Sequence, residues 1–363
     1  NKVPARQLAS TLETMLDTSI PVPRDFEHRT AEEYEAYKKS LSYQLRNKII
    51  PGAIALVALL FVGWGLFNFG KNCIYKPIRA AGLYKQGYNL LVENEYPQSE
   101  MKFNEAIKYR LSKKWFFAYA RGYREHKQYQ RAEEMYTNIL YCFKHDKAAG
   151  LEYADMELSD LANYEKAEDI VRREVLDYHI NDSDGILLLG DIFLEWGTEK
   201  DPEKLEMARQ QYATLIKLYE ANDLYMSRMM RYFIRSDKLL DVLQIKDTFQ
   251  KDKQLAPEDW TELSGYLLDK YYGPLSPSEE YLRYRIEGLR GLLLRAVATN
   301  SKNPISHYNL GRYYVLSNEI AGIEPTLQNA IKTFNNSESL KRRDIYKYID
   351  SYRLLGEYYI ETN

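Results

Sequence analysis

Between Ile49 and Phe69 the chain runs IIPGAIALVALLFVGWGLFNF without a single charge. At about 1.5 Å of rise per residue, a helix of this length reaches roughly 30 Å, the thickness of a bilayer's hydrocarbon core. Arg46 and Lys48 close the run on one side and Lys71 on the other, and their stems can lie along the helix while the charges stay in water. Trp64, Phe67, Phe69 and Tyr75 cluster at the far end and Tyr43 precedes the near end, as in the aromatic belts of membrane helices. A core helix this long would carry a polar stripe, and none is present. A cleaved leader would begin closer to the start than residue 49. The expectation is one transmembrane helix over 49–70 in contact with lipid, a tail over 1–48, and a second domain over 71–363.

The tail carries Leu8, Leu12, Met15 and Leu16 at helical spacing, which predicts a short amphipathic helix. Ile20-Pro21-Val22-Pro23 is a stiff extended break. Thr30 with Glu33 reads as a capping box, opening a helix expected to run straight into the membrane segment. Pro51 is expected to loosen the first membrane turn. Cations flank the span equally, so charge alone does not orient it. A short leading segment before an uncleaved span predicts a cytoplasmic N-terminus.

The chain's 50 Lys and Arg nearly balance its 52 Asp and Glu, which gives no basic footprint for nucleic acid. Cys73 and Cys142 lie in different segments and are expected to be free thiols. Thirty-three tyrosines suit shallow helix–helix seams in which one end of the ring stays wet.

Past Pro77 the chain repeats itself at 33 to 35 residues when Gly87, Ala120, Asp155 and Gly190 are aligned. Leu83, Phe116, Leu151 and Ile186 lie four before the anchor, and Leu90, Tyr123, Leu158 and Phe193 three after it. Ser99, Ala132 and Ala167 follow twelve after it, then Phe103, Tyr136 and Val171. Each unit reads as two amphipathic helices, with small residues where they cross and large ones in the seam. The fourth unit has a longer loop at Gly197 to Pro202. The fifth, Asp223 to Lys253, replaces the signature with methionines. The sixth carries an insertion from Tyr271 to Pro277, and the eighth has only its first helix. More repeat, or a partner, is expected to cover that helix.

The pattern resembles the tetratricopeptide repeat family, most clearly at His307, Leu310, Gly311 and Tyr314 with Ile323, Leu327 and Ala330. The resemblance covers roughly residues 78 to 363. It implies an α-solenoid, and with the apolar segment before it the chain is expected to be all-α, a single transmembrane helix followed by a TPR-like α-solenoid. It also implies a concave face on the first helices that binds proteins. The side chains expected to face that groove are Lys85, Tyr88 and Asn89, then Arg121 and Arg124, then Asn309, Arg312 and Tyr313, and finally Arg353.

No catalytic constellation stands out. The five histidines are scattered and none has a metal-ligand neighbour at suitable spacing. Glu133-Glu134 and Glu279-Glu280 read as solvated faces. No enzyme activity, cofactor or small-molecule substrate is expected. The resemblance implies a membrane-anchored scaffold that assembles other proteins, similar to bacterial inner-membrane proteins with periplasmic arrays and to the collar proteins of the spirochaete periplasmic flagellar motor. The alternative is a cytosol-facing receptor for chaperones or protein import. It would grip an anionic peptide terminus through residues such as Asn309 and Arg312.

Overall fold

The computed structural model describes residues 5–20, 31–249, 255–337 and 344–362, and every regular element among them is helical. The chain divides into two compact units, Asn1–Ser112 and Lys113–Asn363.

In the first unit, helix α1 spans Ala5–Leu16 and α2 spans Ala31–Lys39. Leu8, Leu12, Met15 and Leu16 of α1 are exposed. The capping box at Thr30 and the residues Pro21 to Pro23 lie outside the described residues. Contrary to expectation, α2 does not run into the apolar segment. Ser40 is extended, with φ −71° and ψ 147°, and its hydroxyl accepts the Tyr43 N–H. A hydroxyl N-cap of this kind starts a new helix.

That new helix, α3, is continuous from Leu41 to Val92, 52 residues. Every side chain from Ile49 to Phe67 is exposed. The helix survives two prolines by widening just before each of them. Ile50 donates its N–H to the Leu45 carbonyl, five residues back, and Pro51 follows. Lys76 donates to the Lys71 carbonyl, again five back, and Pro77 follows. A proline ring clashes with the carbonyl four residues earlier and offers that carbonyl no donor. A wide turn moves the carbonyl aside without breaking the helix. The two wide turns, Leu45–Ile49 and Gly70–Tyr75, bracket the apolar segment.

The last 17 residues of α3, Lys76–Val92, pack on α4, Tyr96–Tyr109, as the first helix pair. Tyr84 meets Phe103 edge-on and donates its hydroxyl to the Arg110 carbonyl at 2.8 Å. Burial pushes that hydroxyl's pKa up to about 12.

The second unit continues with further pairs. These are α5 (Lys113–Glu125) with α6 (Tyr129–Cys142), α7 (Lys147–Ser159) with α8 (Tyr164–Ile170, prolonged by wide turns over Val171–Leu176), and α9 (Ser183–Glu199) with α10 (Lys204–Tyr219). Next come α11 (Asp223–Arg235) with α12 (Leu239–Phe249), α13 (Pro257–Tyr272) with α14 (Leu289–Thr299), and α15 (Pro304–Leu316) with α16 (Ile320–Asn335). Helix α17, Ile345–Thr362, packs on α15 and α16.

A shared turn shows that these pairs are repeats. Asn94, Lys127, Asp237 and Asn318 each adopt a left-handed backbone, with φ between 56° and 66°. The next residue in each case donates its N–H five residues back: Glu95 to Leu90, Gln128 to Tyr123, Lys238 to Phe233 and Glu319 to Tyr314. This is the Schellman closure, which satisfies the last carbonyls of a first helix and reverses the chain into its second.

The core follows the predicted positions. Leu83, Phe116 and Ile186 are buried, as are Ser99, Ala132, Ala167, Phe103, Tyr136 and Val171. Close crossing explains the anchor residue, since a Cβ on Gly190 would stand 2.5 Å from the Tyr212 ring and one on Gly311 2.5 Å from Leu327. The third unit corrects the alignment. Its buried small residue is Ala154, with Gly150 four before it, and Asp155 lies one position off the seam. Glu157 fills the large position there, fully buried, against Lys166 Nζ at 2.9 Å and Asn163 Nδ2 at 3.1 Å. In the fourth unit α9 continues through Gly197 to Glu199, so the connecting loop is shorter than expected.

Candidate docking surfaces

The first helices carry most of the residues expected to face a groove, and the fold puts most of those to other work. Arg121 on α5 forms a fork with Glu152 on α7, at 2.8 Å from Nε and 2.5 Å from Nη2. Arg124, three residues on, reaches Asp155 at 2.8 Å and Asp160 at 2.5 Å. Arg312 on α15 meets Asp269 on α13 at 2.8 Å and covers the Tyr308 ring. These cations are rungs between consecutive first helices. Arg353 is exposed and pairs within α17, to Asp350 and Glu357.

Asn309 is 4% exposed and donates from Nδ2 to the Thr261 carbonyl at 3.3 Å, so it belongs to the seam between α13 and α15. Tyr313 is half-buried, edge-on to Tyr272 and Tyr314. In the first unit, Lys85 and Asn89 are exposed and Tyr88 is half-buried. Within the second unit, Asn309 and Arg312 both meet α13, whereas Arg353 pairs within its own helix.

A further electrostatic cluster on the first helices was not anticipated from the sequence. Arg228, Arg231 and Arg235 form a stripe on α11, at steps of three and four. Arg228 reaches back to Asp191 on α9 at 2.9 Å, Arg231 forward to Asp259 on α13, and Arg235 to Glu262 at 2.5 Å and Glu195 at 3.6 Å. Burial opposes the charge on Arg235, but Glu262 and Glu195 outweigh it and raise its pKa. The signal was available, because a basic stripe on one first helix lies between acidic stripes on its neighbours. Glu133 is likewise no idle solvated carboxylate. It accepts from Tyr153 at 2.8 Å and from Lys166 at 2.6 Å.

An apolar surface is also open. A groove of about 440 Å³ runs between α16 and α17, lined by Gln328, Ile331, Lys332, Asn335, Asn336, Tyr352 and Leu355. Beside it Ile345, Ile349 and Ile360 are 45%, 63% and 82% exposed, too much apolar surface for a solvated helix face.

No family model matches the chain, and no curated protein matches its sequence. Among solved structures the chain is similar to a tetratricopeptide repeat protein from Parabacteroides merdae, with 12% identity over 77% of this chain and 98% of that one and a TM-score of 0.48. It is also similar to the C-terminal part of a TPR repeat-containing protein from Cytophaga hutchinsonii, with 15% identity, 68% and 89% coverage and a TM-score of 0.40. Yeast Tom70 follows at 11% identity, 79% and 69% coverage and a TM-score of 0.29. The chain is built of tetratricopeptide-like helix pairs. That statement stands on the shared turns and the buried anchors, and the likenesses add no function to it.

Proposed function

We propose that this protein is a membrane-anchored scaffold: α3 spans a bilayer, and the helix-pair array docks other proteins into a multiprotein complex. The carrying observation is the continuity of α3, whose exposed apolar segment passes without a break into the first helix pair. An uncovered run of this length and composition is suited to lipid. A single helix serving both roles ties the array to the membrane without a flexible linker. The finer proposal places the N-terminal tail in the cytoplasm and the array in the periplasm of a bacterial inner membrane, an arrangement that a periplasmic flagellar motor collar would have.

The apolar groove between α16 and α17 supports protein docking better than the arginines do, because those already have partners. The same fact weakens the receptor alternative: Arg312 is held by Asp269 and Asn309 by Thr261. Protease added to intact spheroplasts should digest the array and spare α1. Pull-down from membranes should lose partners when Ile349→Asp and Tyr352→Ala are combined, with circular dichroism and melting unchanged. Recovery of the same proteins by both versions would remove the groove from the proposal.

A further inference from the structure

We propose that the basic collars at the two ends of the apolar segment bind anionic phospholipid headgroups, one collar in each leaflet. This inference rests on the membrane-span proposal and deepens it by naming the lipid class.

The near-neutral balance of the chain conceals a segregation. Between Glu35 and Glu93 there is no carboxylate, while eight Lys and Arg are present. Residues 93–363 carry 38 Lys and Arg against 45 Asp and Glu, so the array is acidic as a whole. Many cations of the array have a carboxylate within reach, as in Arg121 with Glu152 and Arg231 with Asp259. Around the apolar segment the sequence supplies none. Arg46, Lys48, Lys71 and Lys76 form no ion pair among the described residues, and Arg79 has only a 3.7 Å contact with Glu105, both side chains well exposed.

Geometry selects the occupant. Lys48 and Lys71 are 23 residues apart on one continuous helix, about 35 Å along its axis. That span exceeds the hydrocarbon core of about 30 Å and ends inside the headgroup regions, which bring the bilayer to about 40–45 Å. Both collars therefore meet phosphates at once, and the unbroken helix fixes their depth. An acidic protein partner would account for one collar and leave the other unexplained. Anionic lipid accounts for both, because cations close to an anionic surface are each attracted to it.

The test uses the full chain reconstituted in vesicles of phosphatidylcholine with 10 mol% phosphatidylglycerol. Native mass spectrometry counts the lipids retained per chain. We expect phosphatidylglycerol to be enriched at least about fivefold over its bulk ratio, the factor that one cation at an anionic surface supplies. High salt should reduce the enrichment. The variant Arg46→Gln, Lys48→Gln, Lys71→Gln, Lys76→Gln should still float with the vesicles, melt as the wild type does, and retain lipid at the bulk ratio. Retention at the bulk ratio by the wild type, or equal enrichment in both proteins, would overturn the lipid assignment and leave the span intact. A wild-type chain that floats with neither this mixture nor pure phosphatidylcholine would overturn the span itself.

Discussion

Arg231 on α11 donates its Nε to Oδ1 of Asp259 on α13, and Asp259 is 1% exposed. The other carboxylate oxygen, Oδ2, has no hydrogen-bond partner, so Arg231 is the main compensation for a buried charge. Removing one member of such a pair strands the other. Arg231→Ala should destabilise the fold by about 3–5 kcal/mol. The double replacement Arg231→Met with Asp259→Leu should recover most of that loss. Urea melts of the three proteins provide the comparison, and an Arg231→Ala loss below about 1 kcal/mol would mean that the pair is solvated.

Ala162 sits in the turn before α8 with φ at 50° and an exposed side chain. A Cβ in the left-handed region costs roughly 1–2 kcal/mol, which glycine avoids. Ala162→Gly is therefore expected to raise the melting temperature, against the usual direction of an Ala-to-Gly change. A lower melting temperature would show that the turn is not left-handed.

Gly190 packs so closely on Tyr212 that a methyl group would force the ring to move. Gly190→Ala should cost roughly 1–3 kcal/mol through overpacking. Gly82, with open space around its Cα, serves as the control, and Gly82→Ala should be neutral or stabilising. Equal shifts for the two variants would refute the assigned repeat register.

Asp182 caps α9, accepting the Gly185 N–H at 2.9 Å and Lys147 Nζ at 2.5 Å. Burial pushes its carboxyl up, but Lys147 and the cap outweigh burial and hold it below the ordinary aspartate value. A carboxylate depressed in the folded state contributes stability above its unfolded pKa, about 3.9, and loses it as pH falls through the folded value. Glu133 is likewise depressed: Lys166 and Tyr153 outweigh the burial that raises it. Melting temperature should accordingly drop as pH falls below about 4. Asp182→Asn should flatten part of that drop, and an unchanged profile would show that the bridge to Lys147 contributes nothing.

The helix-pair fold was legible because seam positions repeat. Phe103, Tyr136 and Ala132 recur at the spacing that their burial requires, and the departures in the fourth and sixth units were visible as altered spacing. The third unit misled because Ala154 and Asp155 are adjacent, and a fixed 35-residue step selects the wrong one. The break at Ser40 was hidden because the sequence around it is helix-forming on both sides. The widened turns before Pro51 and Pro77 were only half visible. Proline announces a disturbance, but whether a helix bends or widens depends on its surroundings. The bridging role of the groove arginines was hidden for a different reason. An exposed arginine and an arginine bridging to the next repeat look alike until the neighbouring helix is placed. Arg121 with Glu152 and Arg312 with Asp269 became visible only then.

The most direct test is flotation of the full chain with lipid vesicles on a density gradient, after washing in alkaline carbonate to strip peripheral protein. The intact chain should float. Leu59→Arg, which sets a charge at mid-membrane against an insertion cost of about 2.5–3.5 kcal/mol, should shift a large share to the dense fractions. An intact chain that stays entirely in the dense fractions would contradict the membrane-anchored scaffold.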